Sequence, residues 1–158
     1  MTGWRLGWLV LPENLVAPVE RLAQNLYICA SSVSQAAALA CFEPESLAEY
    51  ERRRAEFKAR RDYFLPALRD LGFHIPVEPD GAFYVYADAS PLFAKLSVEK
   101  RIESSWDFAF ELMRRCHIAI APGRDFGTDS TEKFVRFSTA SSMRDLQTAV
   151  QRMKAVFN

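Results

Sequence analysis

Two arginines stand in settings where a guanidinium needs a partner. Arg136 lies inside the apolar run Phe134-Val135-Arg136-Phe137, and Arg5 flanks an apolar run that begins at Leu6. Burying an unpaired charge is costly. For each, the partner is either an acidic side chain or an anionic ligand. A guanidinium suits these anions because its permanently charged planar fork meets two oxygens at once. The other reactive side chains offer less. Cys29, Cys41 and Cys116 are an odd number with no Cys-x-x-Cys spacing, which reads as reduced thiols, buried among apolar neighbours, in a cytoplasmic protein. His74 and His117 each precede a short apolar run and are not spaced as a metal pair, so no metal site and no Ser-His or Cys-His hydrolase is expected. The lysines are Lys58, Lys95, Lys100, Lys133 and Lys154, and none precedes Arg5.

The bulk of the chain limits the classes open to it. Its 158 residues suit one domain, and 49% are hydrophobic, including twelve Phe, which is enough to build a core. Twenty basic and twenty acidic residues cancel, leaving no long-range field to draw in nucleic acid or an anionic membrane. The basic clusters Arg52-Arg53-Arg54 and Arg60-Arg61 are interleaved with acids and lack an aromatic platform, so they read as a solvated helix face. No apolar run is long enough to span a membrane. Pro12-Glu13-Asn14 follows the first apolar stretch, where a signal peptide would carry small residues.

These side chains must be positioned by an alternation of helices and strands. Leu6 to Leu11 predicts a buried strand. Pro12-Glu13-Asn14 opens a helix toward Tyr27, with Leu15, Val19, Leu22 and Leu26 on one face. After a break at residues 30–32, the Ala-rich stretch Val33 to Phe42 predicts a tightly packed buried helix that Glu43-Pro44 ends. Glu45 to Leu71 predicts one long helix, with Tyr50, Phe57, Phe64 and Leu71 recurring every seven residues; Pro66 should kink or restart it. Beyond Gly72 the pattern turns mixed. Short strands are expected at Phe73 to Ile75, Ala82 to Ala87, Ile118 to Ala121 and Phe134 to Phe137. Helices are expected at Trp106 to Cys116 and Met143 to Phe157, with loop and a short helix across residues 88–105. One strand at residues 6–11 has nothing to pair with, which points to a missing neighbour.

Four segments carry a family resemblance. Arg5-Leu6-Gly7 resembles the Arg-x-Gly that follows the Schiff-base lysine in class I/II aminotransferases of the aspartate aminotransferase type. Gly81-Ala82-Phe83-Tyr84 resembles a turn and strand of their small domain. Ala121-Pro122-Gly123 with Phe126-Gly127 resembles their Pro-Gly-x-x-Phe-Gly loop, and Arg136-Phe137-Ser138 with Ala140 resembles their late Arg-Phe-Ser-x-Ala element. The four occur in family order over nearly the whole chain.

The resemblance implies an α/β fold, namely the C-terminal part of a pyridoxal-phosphate-dependent transferase. Residues 1–44 would be a remnant of the large cofactor-binding domain, 45–71 a linking helix and 72–158 a small α/β domain. It implies that Arg5 holds the phosphate of pyridoxal 5′-phosphate and that Arg136 clamps the substrate α-carboxylate. It implies amino acid and 2-oxo acid substrates and a homodimer, with Ser31 and Ser32 near the dimer interface and Phe83 in the substrate pocket or the core. The catalytic lysine would lie upstream of Met1, so these residues alone are expected to be inactive. A lyase or synthase on the same fold, or a non-catalytic fold or dimerisation unit, stays open. Gly81, Gly123 and Gly127 are expected as turn glycines with positive φ.

Overall fold

The computed structural model describes Met1, residues 3–97 and residues 101–157. Thr2 of the opening segment, Lys100 and the middle of the 88–105 connection lie outside the described residues. The chain forms two compact units, Met1–Arg53 and Arg54–Asn158.

In the first unit, α1 spans Glu13–Leu26, as the spacing after Pro12 predicts. α2 spans Ser32–Ala38 and tightens into a 3-10 turn at Leu39–Phe42. Pro44 then opens α3, which runs Pro44–Leu71; a proline fits the first helical position because its missing N–H is not needed there. Two expectations fail in this unit. Leu6 to Leu11 is irregular rather than a strand, and Val10 is 92% exposed. An extended segment is stable only when another strand takes its hydrogen bonds, and residues 1–53 contain no described strand. The Ala-rich helix is also not buried: of α2 only Ser34 and Ala38 are. These two are four residues apart and form a narrow stripe on one face.

The second unit has the larger core. α3 passes through Pro66 without interruption, so the expected restart does not occur. Its last two turns bury Phe64, Leu65, Leu68 and Leu71. Three strands follow: β1 at Tyr84–Asp88, β2 at Ala121–Pro122 and β3 at Phe134–Ser138. They form an antiparallel sheet in the order β1-β3-β2. Phe73 to Ile75 contributes only a bridge, His74 opposite Asp88. α4 is a single turn at Phe93–Leu96, α5 spans Ser105–Cys116 and α6 spans Met143–Phe157.

α5 begins where Ser104 accepts a hydrogen bond from the Asp107 N–H at 3.3 Å, an N-cap that satisfies an otherwise free donor. It ends at His117, whose φ of 54° is left-handed. Phe108, Ala109, Leu112 and Cys116 face inward. Trp106, Phe110 and Met113 share a face, but it is the outer one. Phe73 anchors the core with edge-on contacts to Phe108, Phe137 and Phe157, a geometry that aromatic quadrupoles favour.

Of the three cysteines expected to be buried, only Cys116 is; Cys41 is half-buried and Cys29 is exposed. Cys29 follows Ile28, which takes a left-handed φ of 69° past the end of α1, and the sharp turn carries the thiol outward.

Candidate functional site

Strand alternation divides the sheet of the second unit into two faces. Val85 and Ala87 of β1 and Val135 and Phe137 of β3 point into the core. Tyr84, Tyr86, Phe134, Arg136 and Ser138 therefore lie on the opposite face. Tyr86 is paired across from Arg136, and Tyr84 from Ser138.

Arg136 is half-buried on that face. Its Cζ lies 4.1 Å from the Tyr84 ring centroid and 4.3 Å from the Phe126 centroid. Two aromatic rings thus attract the cation through their electron-rich faces, and such contacts consume none of its N–H donors. Among the described residues no carboxylate pairs with Arg136, and no hydrogen-bond acceptor is held by it. The arrangement can take a planar anion through two parallel N–H donors.

Phe126 reaches Arg136 from the 3-10 turn Gly123–Phe126 that follows β2. Gly123 explains how tightly this turn is seated. A Cβ there would lie 2.2 Å from the Thr131 carbonyl oxygen, 2.6 Å from that of Phe134 and 2.9 Å from the Tyr86 hydroxyl. Close approach, not positive φ, is why glycine stands at this position. Gly127 does have positive φ, 154°. Gly81 does not; the left-handed residue of its turn is Ala82, with φ of 55°. Tyr86 stacks flat on Phe134 at 4.8 Å and meets Phe126 edge-on at 6.1 Å. Burial pushes its hydroxyl pKa up, so Tyr86 is neutral at physiological pH.

Three of the four sequence segments singled out above meet here. The Thr139 N–H donates to the Phe83 carbonyl at 2.8 Å, joining the Gly81–Tyr84 segment to the Arg136–Ala140 segment. From α3, Arg60 donates to the Ala140 carbonyl at 3.1 Å and Arg61 to the Pro79 carbonyl at 3.2 Å. Phe83 is partly exposed and packs on Phe57 and Tyr84. The aromatic partners of Arg136 were not evident beforehand as partners. One signal was present: the alternation in Ala82 to Ala87 places Tyr84 and Tyr86 on one side.

Arg5 belongs to the first unit. It ends the Gly3–Arg5 turn with a left-handed φ of 55°, uncommon for a residue other than glycine. The buried Ser34 hydroxyl donates to the Trp4 carbonyl at 2.8 Å, which ties this turn to α2, and the Arg5 side chain is exposed. Ser31 and Ser32 are exposed at the start of α2.

The model of the family described as aminotransferase class I and II matches residues 1–153. The chain belongs to this family. It is 39% identical over 153 residues to the valine–pyruvate aminotransferase of Mycobacterium tuberculosis, covering 97% of this chain and 37% of that protein. It is 31% identical to the (5-formylfuran-3-yl)methyl phosphate transaminase of Methanocaldococcus jannaschii, covering 100% of this chain and 39% of that protein. The crystal structure of an aminotransferase from Mycobacterium tuberculosis superposes with a TM-score of 0.83 at 39% identity, covering 98% of this chain and 38% of that one. The chain thus spans less than two-fifths of the length of these relatives, and its mixed helix-and-sheet fold is part of theirs.

Class I/II aminotransferases depend on pyridoxal phosphate, and the residues present fit that group only in part. The exposed Arg5 guanidinium is a suitable donor for a phosphate dianion. Residues 1–57 contain no lysine, so the unit that carries Arg5 offers no lysine side chain for covalent attachment. Among the described residues no cluster of His, Cys, Asp and Glu could hold a metal. No described helix is long and apolar enough to cross a membrane.

Proposed function

We propose that the polypeptide to which these residues belong transfers an amino group from an amino acid to a 2-oxo acid, using pyridoxal 5′-phosphate. In this reading Arg136 binds the substrate α-carboxylate and Arg5 binds the cofactor phosphate. The observation that carries it is the Arg136 guanidinium, held against Tyr84 and Phe126 with no carboxylate partner among the described residues. An amino acid and a 2-oxo acid share one group, the α-carboxylate, so a single cation serves both directions of transfer. The rings of Tyr84 and Phe126 shield the guanidinium from water, which strengthens its hold on an anion. A carboxylate gripped by two donors cannot rotate freely, and its Cα–H bond is held in one direction. The cofactor, when bound, supplies the electron sink.

The same reading assigns residues 1–44 to the large domain, 45–71 to the linking helix and 72–158 to the small domain. It places the complete enzyme in the cytoplasm as a homodimer, and it takes these 158 residues alone to be inactive for want of the lysine.

Arg136→Lys in the active polypeptide tests the assignment. It is expected to raise KM for both substrates about ten- to hundredfold, the worth of a charged hydrogen-bonded fork, while cofactor absorbance is retained. Equal loss of cofactor and substrate binding refutes the role. A saturable, borohydride-reducible pyridoxal phosphate adduct on one lysine of the 158-residue chain would refute the claim that it is catalytically incomplete.

A further inference from the structure

The Phe126 contact with Arg136 depends on the turn Gly123–Phe126, and the first turn of α5 holds that turn at two adjacent points. Ser105, fully buried, accepts a hydrogen bond from the Gly123 N–H at 3.2 Å. The next residue, Trp106, lies against Arg124, whose Cζ is 3.3 Å from the ring centroid. Consecutive residues of the helix thus engage consecutive residues of the turn, and the Ser104 cap on Asp107 fixes where that helix begins. At Gly123 the turn is hemmed in by backbone. At Arg124 it is exposed to solvent, and among the described residues the Trp106 ring is the one aromatic, hydrogen-bonding or ionic partner of its side chain. Two residues later the same turn delivers Phe126 to Arg136 at 4.3 Å.

Taking Arg136 as the carboxylate binder, a premise that rests on the function proposed above, we propose that Trp106 and Arg124 are positioning residues for it. Their cation–π contact latches the turn so that Phe126 stays against the guanidinium, and this sets the affinity for the carboxylate. Neither residue touches the ligand. The outer face of α5, which contributes nothing to the core, thereby acts on the sheet face that carries Arg136.

The test uses the full 158-residue chain with labelled arginine side chains, observed by NMR, with pyruvate as the probe carboxylate. In the parent chain the Arg136 Nε–H resonance is expected upfield, because two rings shield it, and to move saturably with pyruvate. Arg124→Gln and Trp106→Leu should each shift that resonance toward the value of an unstacked arginine. Each should weaken pyruvate binding about two- to fivefold, the worth of one exposed cation–π contact, while backbone resonances of the core stay in place. Trp106→Phe keeps a ring face and should restore most of both effects.

Failure of the latch and failure of its premise give different results. If Arg136→Lys leaves pyruvate binding unchanged, Arg136 is not the carboxylate site and both fall. If Arg136→Lys abolishes binding but Arg124→Gln and Trp106→Leu change neither the resonance nor the affinity, only the latch is overturned. Global loss of the folded spectrum in either latch variant overturns it too, since the contact would then hold the fold rather than place Phe126.

Discussion

Replacing Gly123 with alanine is the sharpest steric probe of this unit. The added Cβ would stand 2.2 Å from the Thr131 carbonyl oxygen and 2.6 Å from that of Phe134. Both are backbone atoms. Thr131 opens the 3-10 turn Thr131–Lys133, and Phe134 opens β3, so relief means moving the start of β3 by roughly 1 Å rather than turning a side chain. Overpacking of a well-filled site costs about 1–3 kcal/mol, and the lack of a flexible neighbour puts this case at about 3 kcal/mol. Gly81→Ala is the matched control: no atom lies within 4 Å of its Cβ position. Its backbone is not left-handed, so the control should be neutral or gain about 0.4–1 kcal/mol from a stiffer unfolded chain. Native-state hydrogen exchange at the β1–β3 ladder reports on this unit alone. A loss of 3 kcal/mol accelerates exchange through global opening by about a hundredfold or somewhat more. Exchange in Gly123→Ala within threefold of the parent would refute the reasoning, because the turn would then have room the structure denies it.

Phe108→Ala removes a fully buried ring that meets Phe73, Phe93 and Phe157, and should cost about 3–5 kcal/mol by urea denaturation; a loss below about 1.5 kcal/mol would mean the cavity collapses freely. Burial alone would raise the Asp88 carboxyl, but the Ser90 hydroxyl and N–H and the Lys133 ammonium outweigh it and hold the pKa below its ordinary 3.8. A lowered carboxylate stabilises the fold above its unfolded pKa and ceases to as pH falls through the folded value, so Asp88→Asn should lower stability at pH 7 by about 1 kcal/mol and flatten the acid limb. An unchanged acid limb would contradict this. Desolvation pushes the Cys116 thiol up while Cys29 is exposed, so a chromogenic disulfide reagent should label Cys29 at once and Cys116 only on unfolding; early labelling of Cys116 would show that its pocket opens.

The parts of the fold that were readable beforehand are those fixed by local pattern. α6 runs Met143–Phe157 as its spacing predicts, and Leu146, Val150, Met153 and Phe157 bury its inner face. α5 begins one residue early because Ser104 caps it. β1 starts two residues late, since Ala82 turns left-handed and cannot join a ladder. What was not readable depends on distant partners. Leu6 to Leu11 has strand composition, yet a strand needs a neighbour. The heptad of α3 places Phe64 and Leu71 in the core but leaves Tyr50 42% exposed, because nothing in the pattern says how far along the helix the core extends. Arg136 could be picked out, but not Tyr84 and Phe126 around it, because the Phe126 turn comes from elsewhere in the sequence.

The choice left open for Arg136, structural ion pair or ligand site, has a thermodynamic signature. If the guanidinium were balanced by a buried acid, removing it would strand that acid and cost about 3–5 kcal/mol. Here the guanidinium contacts two rings, and no described acid depends on it. Arg136→Gln should therefore lose only those contacts, about 1–2 kcal/mol at most, with little change in the pH dependence of unfolding. The same pleat that turns Val135 and Phe137 into the core turns Arg136 away from it, so binding and stability rest on opposite faces of one strand. A loss of 3 kcal/mol or more in Arg136→Gln, recovered at acid pH where a stranded carboxylate would be protonated, would return Arg136 to a structural role and remove the main support for the carboxylate site.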